Sequence, residues 1–138
     1  MAAAISDMYE VEAGKIARTR ATNPDVKAFA AKMVQAHTET TAKLKSILGE
    51  MKHQRAAPVR LDDRRQGLID DLRRAKTADF DARYISQQVD AHKEALIVMQ
   101  GYAKDGDNAA VKSFAATTAT AVQDHLNMAE PLYKTVNK

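Results

Sequence analysis

From Val26 to Met51 a side chain falls on one line at alternating steps of four and three residues, at positions 26, 30, 33, 37, 40, 44, 47 and 51. Val26, Ala30, Met33, Leu44, Ile47 and Met51 hold six of these eight positions. A mean step of 3.5 residues keeps them on one face of an α-helix, whereas a β-strand would scatter them over both faces. A seam that long is buried only by other helices lying nearly parallel to it, so the stretch commits the chain to a helical bundle.

The punctuation marks out the partners. A first helix is predicted over about 6–22, with Ser6 as its N-cap and Asp7 and Glu10 in its first turns, where negative charge is favourable. Asn23-Pro24 ends it and starts the second helix, about 24–51, because Asn caps well and Pro suits a first helical position whose N–H has no partner. A two-residue break makes the pair an antiparallel hairpin. Residues 52–60, with Pro58, read as a loop. A shorter helix, about 62–76, carries only Leu61, Leu68, Ile69 and Leu72 on its stripe, too thin for a full bundle member, and reads as a crossover. Thr77 then caps a helix over about 78–104. Asp105-Gly106-Asp107-Asn108 supplies both a stop and the next cap, and the last helix runs over about 108–136, with Pro131 kinking or ending its final turn.

An internal repeat ties the halves together. Asn-Pro-Asp-Val-Lys-Ala-Phe-Ala-Ala at 23–31 is similar to Asn-Ala-Ala-Val-Lys-Ser-Phe-Ala-Ala at 108–116, and each copy opens the second helix of a hairpin. The expected fold is all-α: a ferritin-like four-helix bundle of two αα-hairpins joined by a short crossover helix, in one domain over 1–138.

Composition excludes several classes of function. With 45% hydrophobic and 28% charged residues the chain is too apolar for a disordered one. The lack of cysteine removes disulfides, thiolate metal sites and cysteine nucleophiles. No apolar run approaches the roughly 20 residues of a membrane span, and Met-Ala-Ala-Ala-Ile lacks the charged start and apolar centre of an export signal. The net charge of +3 is concentrated in residues 51–76, where eight Lys and Arg face four Asp. There Arg and Asp alternate, as in Asp70 with Arg74 at i,i+4, which is the pattern of a solvated helix face and not of a phosphate-binding stripe. Seven scattered aromatics without Trp make no base-stacking platform, so no nucleic-acid partner is expected. Gly-x-Ser-x-Gly, phosphate-cradling glycine loops and His-Glu-x-x-His are all missing, and enzymatic activity finds no support.

The seams themselves carry chemistry. His37 lies in the middle of the 26–51 line. His92 falls between Gln88 and Ala95 on a stripe with Ile85, Met99 and Ala103, and His125 between Val122 and Ala129 on a stripe with Val111, Thr118, Leu132 and Val136. On the first helix Glu12 is expected to face inward, between Met8 and Ile16 with Thr19 beyond, and Glu10 to face the opposite side. The words Val34-Gln35-Ala36-His37, Val89-Asp90-Ala91-His92 and Val122-Gln123-Asp124-His125 share the form Val-x-x-His. Counted from the hairpin turns at about 1.5 Å per residue, Glu12 lies about 16 Å down its helix, His37 and His92 about 21 Å and His125 about 28 Å. Three neutral imidazoles and a carboxylate suit a single Zn, Cu, Ni or Fe ion. The competing reading makes the histidines core groups hydrogen-bonded to Glu12, Gln88, Thr40 or Thr41. A di-iron centre needs bridging carboxylates and Glu-x-x-His, and valine stands three residues before each histidine, so such a centre is not expected. Met8, Met33 and Met99 read as core filler and His53 as a solvated loop residue.

The runs Ser-Asp-Met-Tyr-Glu-Val-Glu-Ala-Gly-Lys at 6–15, Asn-Pro-Asp-Val-Lys-Ala-Phe-Ala-Ala-Lys-Met-Val-Gln-Ala-His-Thr at 23–38 and Ala-Asp-Phe-Asp-Ala-Arg-Tyr-Ile-Ser-Gln-Gln-Val-Asp-Ala-His-Lys-Glu-Ala-Leu at 78–96 resemble a bacterial family, domain-of-unknown-function family 4142. The resemblance covers nearly the whole chain. It implies a ferritin-like bundle and a periplasmic or outer-membrane-associated location, and His37, His92 and His125 match the family's recurring histidines. Two functions stay open: a cell-envelope metal-binding bundle serving metal handling or stress protection, and a metal-free interaction module whose outer faces meet a protein partner or a second copy.

Overall fold

A computed structural model describes residues 2–49 and 60–137. They form five helices: α1 (Ala2–Arg20), α2 (Pro24–Gly49), α3 (Asp63–Arg74), α4 (Thr77–Asp105) and α5 (Ala109–Val136). α1 packs along α2 and α4 along α5 as two αα-hairpins, and the short α3 crosses between them against α1 and α4. This is the all-α, ferritin-like bundle that the repeat implies.

The turns are built largely by the residues that the sequence offers. Asn23 Oδ1 accepts from the N–H groups of Asp25 at 2.8 Å and Val26 at 3.4 Å, and Asn108 caps α5 by accepting from Val111 N–H at 3.1 Å. Asp62 does the same for α3 through Arg65 N–H. Gly106 ends α4 with its N–H donating to Tyr102 O at 2.9 Å; a Cβ there would lie 2.6 Å from that oxygen, so only glycine fits. Buried Asp81 of α4 clamps the α1–α2 turn by accepting from Thr22 N–H, Thr22 Oγ1 and Asn23 N–H at 2.8–3.0 Å. Arg20 lies over the Phe80 ring at 4.9 Å and donates to the carbonyls of Leu72, Arg73 and Ala75, covering the C-terminal end of α3. The core between the hairpins holds Tyr9, Ala13, Ala17, Val26, Ala30, Met33, Ile69, Leu72, Phe80, Tyr84 and Ile85.

Several expectations are corrected. α1 begins at Ala2 and not at Ser6, because the opening alanines are themselves strong helix formers, so Asp7 and Glu10 stand in the helix interior. Thr77 is the first residue of α4; Lys76 occupies the N-cap and makes no side-chain cap. α5 continues through Pro131 to Val136, the ring costing one backbone donor near the end of a long helix. Along α3 the ion pairs are i,i+3, Asp71 with Arg74 at 2.8 Å and Asp70 with Arg73 at 4.0 Å, and not Asp70 with Arg74. Met51, the 52–59 part of the expected loop and His53 lie outside the described residues.

Candidate metal centre

α1 is rotated relative to the expected stripe. Its buried line is Tyr9, Glu10, Ala13, Ala17 and Ala21 with Asp7 alongside, while Met8 and Ile16 are only partly buried. The small residues are there because α1 and α2 approach closely: a Cβ on Gly14 would sit 2.7 Å from Val34 Cγ2 and 3.1 Å from Ala30 O. Glu12 therefore does not reach the histidines. Its carboxylate faces α3, 3.8 Å from the Arg73 guanidinium, with 42% of the side chain exposed. Glu10, expected outside, is 2% exposed and turned inward.

The three histidines do converge. Each is buried, and one ring nitrogen from each of His37 on α2, His92 on α4 and His125 on α5 lies within 4.8 Å of the others. Ring centroids are 6.1 Å apart for His37 and His92, 6.0 Å for His37 and His125, and 5.7 Å for His92 and His125. The similar depth of His37 and His92 is a matter of register. Asp81 sets the start of α4 beside the α1–α2 turn, and from that end His37 lies thirteen residues beyond Pro24 and His92 fifteen beyond Thr77, about 20 Å and about 22 Å along their helices.

Two of the rings are held from behind. His37 Nδ1 meets Asp7 Oδ1 at 2.6 Å, and His92 Nδ1 meets Gln88 O at 2.8 Å. A carbonyl and a carboxylate only accept, so both Nδ1 atoms carry a proton, and the lone pair of neutral His92 sits on Nε2. His37 Nε2, His92 Nε2 and His125 Nδ1 are buried and make no hydrogen bond among the described residues. Leaving a buried polar atom unsatisfied costs about 1–3 kcal/mol, and each of the three neighbouring imidazoles carries one that a cation could satisfy. Thr40 and Thr41 donate to backbone carbonyls of α2 and do not serve the imidazoles.

Charge states follow from the surroundings. Burial pushes the imidazoles of His92 and His125 down to about 4, reinforced by their mutual proximity to His37, so both are neutral at physiological pH. Burial pulls the same way at His37, but the Asp7 hydrogen bond and the charges of Glu10 and Asp7 outweigh it and raise that imidazole above its ordinary 6.5. Burial also lifts the Glu10 carboxyl to about 7, against the opposing pull of His37. Asp7 Oδ2, Glu10 Oε2, Tyr84 OH and both polar atoms of the Gln88 amide are buried without a hydrogen-bond partner among the described residues, forming a polar layer between α1 and α4. Asp7 and Glu10 escaped the sequence reading; the pointer to them was Ala13, Ala17 and Ala21 at four-residue spacing, continued upward to Tyr9 and Glu10.

The donor set fits a transition metal. Imidazole nitrogens bind such ions at about 2.0–2.1 Å, and a buried carboxylate on the back of one ring is the support that ligating histidines ordinarily have. The bridging carboxylates of a di-iron centre are not among the converging groups. Among the described residues no helix is long and apolar enough to cross a membrane.

Comparison with known proteins gives two matches. The profile of a family described as "Domain of unknown function (DUF4142)" matches residues 1–132. The solved structure of CopM in the Cu(I)-bound form is similar with a TM-score of 0.78 at 14% identity, covering 96% of this chain and 90% of that one. At that identity the likeness is one of fold. No curated protein matches the sequence.

Proposed function

The chain belongs to the DUF4142 family, and from that premise we propose that it is a metal-handling bundle of the bacterial cell envelope that binds one transition-metal ion through His37, His92 and His125. The observation that carries the reading is the convergence of three buried histidines from three different helices, each with a buried ring nitrogen that makes no hydrogen bond among the described residues. A metal-free module would leave those atoms unsatisfied, at a cost that natural cores seldom accept. Copper is the first candidate among Zn, Cu, Ni and Fe, since a protein of the same fold is known in a Cu(I)-bound form and copper is among the metals that imidazole suits. The envelope location rests on the family resemblance. Binding and delivery, and not turnover, suit a site that offers only ligands.

Anaerobic titration with Cu(I), and separately with Zn(II), tests this. One equivalent is expected to bind and to raise Tm in proportion to RT ln(1 + [L]/Kd), while His92→Ala weakens both effects. Equal, weak uptake by wild type and His92→Ala would leave the metal-free module as the function.

A further inference from the structure

The three histidines are not held alike. Asp7 fixes the His37 ring, and the Gln88 carbonyl fixes the His92 ring, which also packs against Phe29 at 6.2 Å between centroids. His125 makes no side-chain hydrogen bond among the described residues, and its charged neighbours are Lys32 and Asp124, both exposed. The cavity of about 200 Å³ between α1, α3 and α4, bounded by Tyr9, Leu68, Gln87 and Met99, includes none of the three histidines in its walls. His37 on α2 and His125 on α5 are 8% and 6% exposed against 1% for His92, so the side of the centre nearest to solvent is the one between α2 and α5.

Resting on the metal-binding reading above, we propose that His125 is the exchange ligand of the centre. His37 and His92 form a fixed two-point seat, and rotation of the free His125 ring closes and opens the third position for uptake and transfer. The spacing fits that role. An ion with bonds of about 2.0–2.1 Å holds its nitrogens about 3.3–3.6 Å apart, and ring nitrogens of the three histidines lie within 4.8 Å of one another. The closure left to binding is therefore small and falls to His125, the ring that no side-chain hydrogen bond holds among the described residues. A ring that is immobilised only on binding contributes less to affinity than one fixed beforehand, by roughly two- to tenfold.

Two measurements decide. In the metal-free protein, side-chain NMR is expected to find the His37 and His92 rings ordered and the His125 ring averaging between rotamers. In the Cu(I)-loaded protein, transfer to the chelator bathocuproine disulfonate is expected to accelerate in His125→Ala, whose third position is already open. His125→Ala should lose less affinity than His92→Ala, by roughly two- to tenfold, with thermal melts confirming that both fold. A His125 ring as ordered as His92, or equal losses of affinity in the two variants, overturns the exchange role and leaves the metal site standing. Failure of the wild type to take up Cu(I) or Zn(II) overturns the site itself and the exchange role with it.

Discussion

Replacing Asp7 by Asn removes one negative charge from behind His37 while keeping an oxygen that can accept from Nδ1–H. In the wild type the His37 imidazole titrates above 6.5 despite its burial. Its contribution to stability is therefore present in full below the unfolded value near 6.5 and is lost as pH rises through the higher folded value. Without the carboxylate, burial dominates and pulls His37 in the direction taken by His92 and His125, which titrate at about 4. The group then opposes folding in acid: at pH 5.5, one unit below 6.5, keeping it neutral costs about 1.4 kcal/mol that the wild type does not lose. Urea denaturation should thus show Asp7→Asn destabilised by at least about 1.4 kcal/mol more at pH 5.5 than at pH 8, the wild type's own gain from its raised His37 adding to that figure, with m unchanged. Glu10 shifts the figure only modestly, because losing Asp7 lowers its pKa while losing the imidazolium raises it. The same variant should bind metal about 10–100-fold more weakly, as expected when the partner behind a ligating histidine is lost. A destabilisation identical at both pH values would refute the assignment of Asp7 as the group that holds His37.

Other outcomes follow from particular contacts. Gly14→Ala places a methyl 2.7 Å from Val34 Cγ2 and should cost about 1–3 kcal/mol, offset in part by roughly 1 kcal/mol of helix propensity. Gly67→Ala, on α3 with nothing within 4 Å of the new methyl, should instead stabilise by about 0.5–1 kcal/mol; thermal melts of the two variants read the contrast. Asp81→Ala strips three acceptor bonds from the α1–α2 turn and should cost on the order of 1.5–3 kcal/mol by urea denaturation. Between pH 6.5 and 4.5 the unfolded chain binds two more protons at His92 and His125 and one fewer at Glu10, whose folded carboxyl titrates at about 7. These three groups together predict stability falling by about 1.4 kcal/mol per unit as the pH is lowered through that window, and His125→Leu should flatten the slope.

The sequence made the scaffold legible because the cues agreed. Asn23-Pro24 and Gly106 through Asn108 are strong stop and start signals, the Val26–Met51 seam has one period, and the repeat shows the same hairpin twice. The histidines were legible for a related reason. On α2, α4 and α5 each histidine stands on a mainly apolar line, which marks it as inward-facing. α1 gave no such line. It packs against α2, α3 and α4 and so buries more than one stripe, and its closest contacts use Ala13, Gly14 and Ala17, which hydrophobic periodicity barely registers. The more hydrophobic Met8 and Ile16 drew the expected seam around the helix, and Glu12 came inward on paper in place of Glu10. Asp7 was equally hidden, since an acidic residue near a helix start reads as a dipole effect, and only the tertiary structure sets its carboxylate behind His37.

The most direct test is X-ray absorption of the protein loaded with one equivalent of Cu(I) under reducing conditions. Three nitrogen neighbours at about 2.0 Å with imidazole multiple scattering are expected, reduced to two in His125→Ala. A first shell containing sulfur from methionine, or one unchanged by substituting any of the three histidines, would contradict the assignment of the centre.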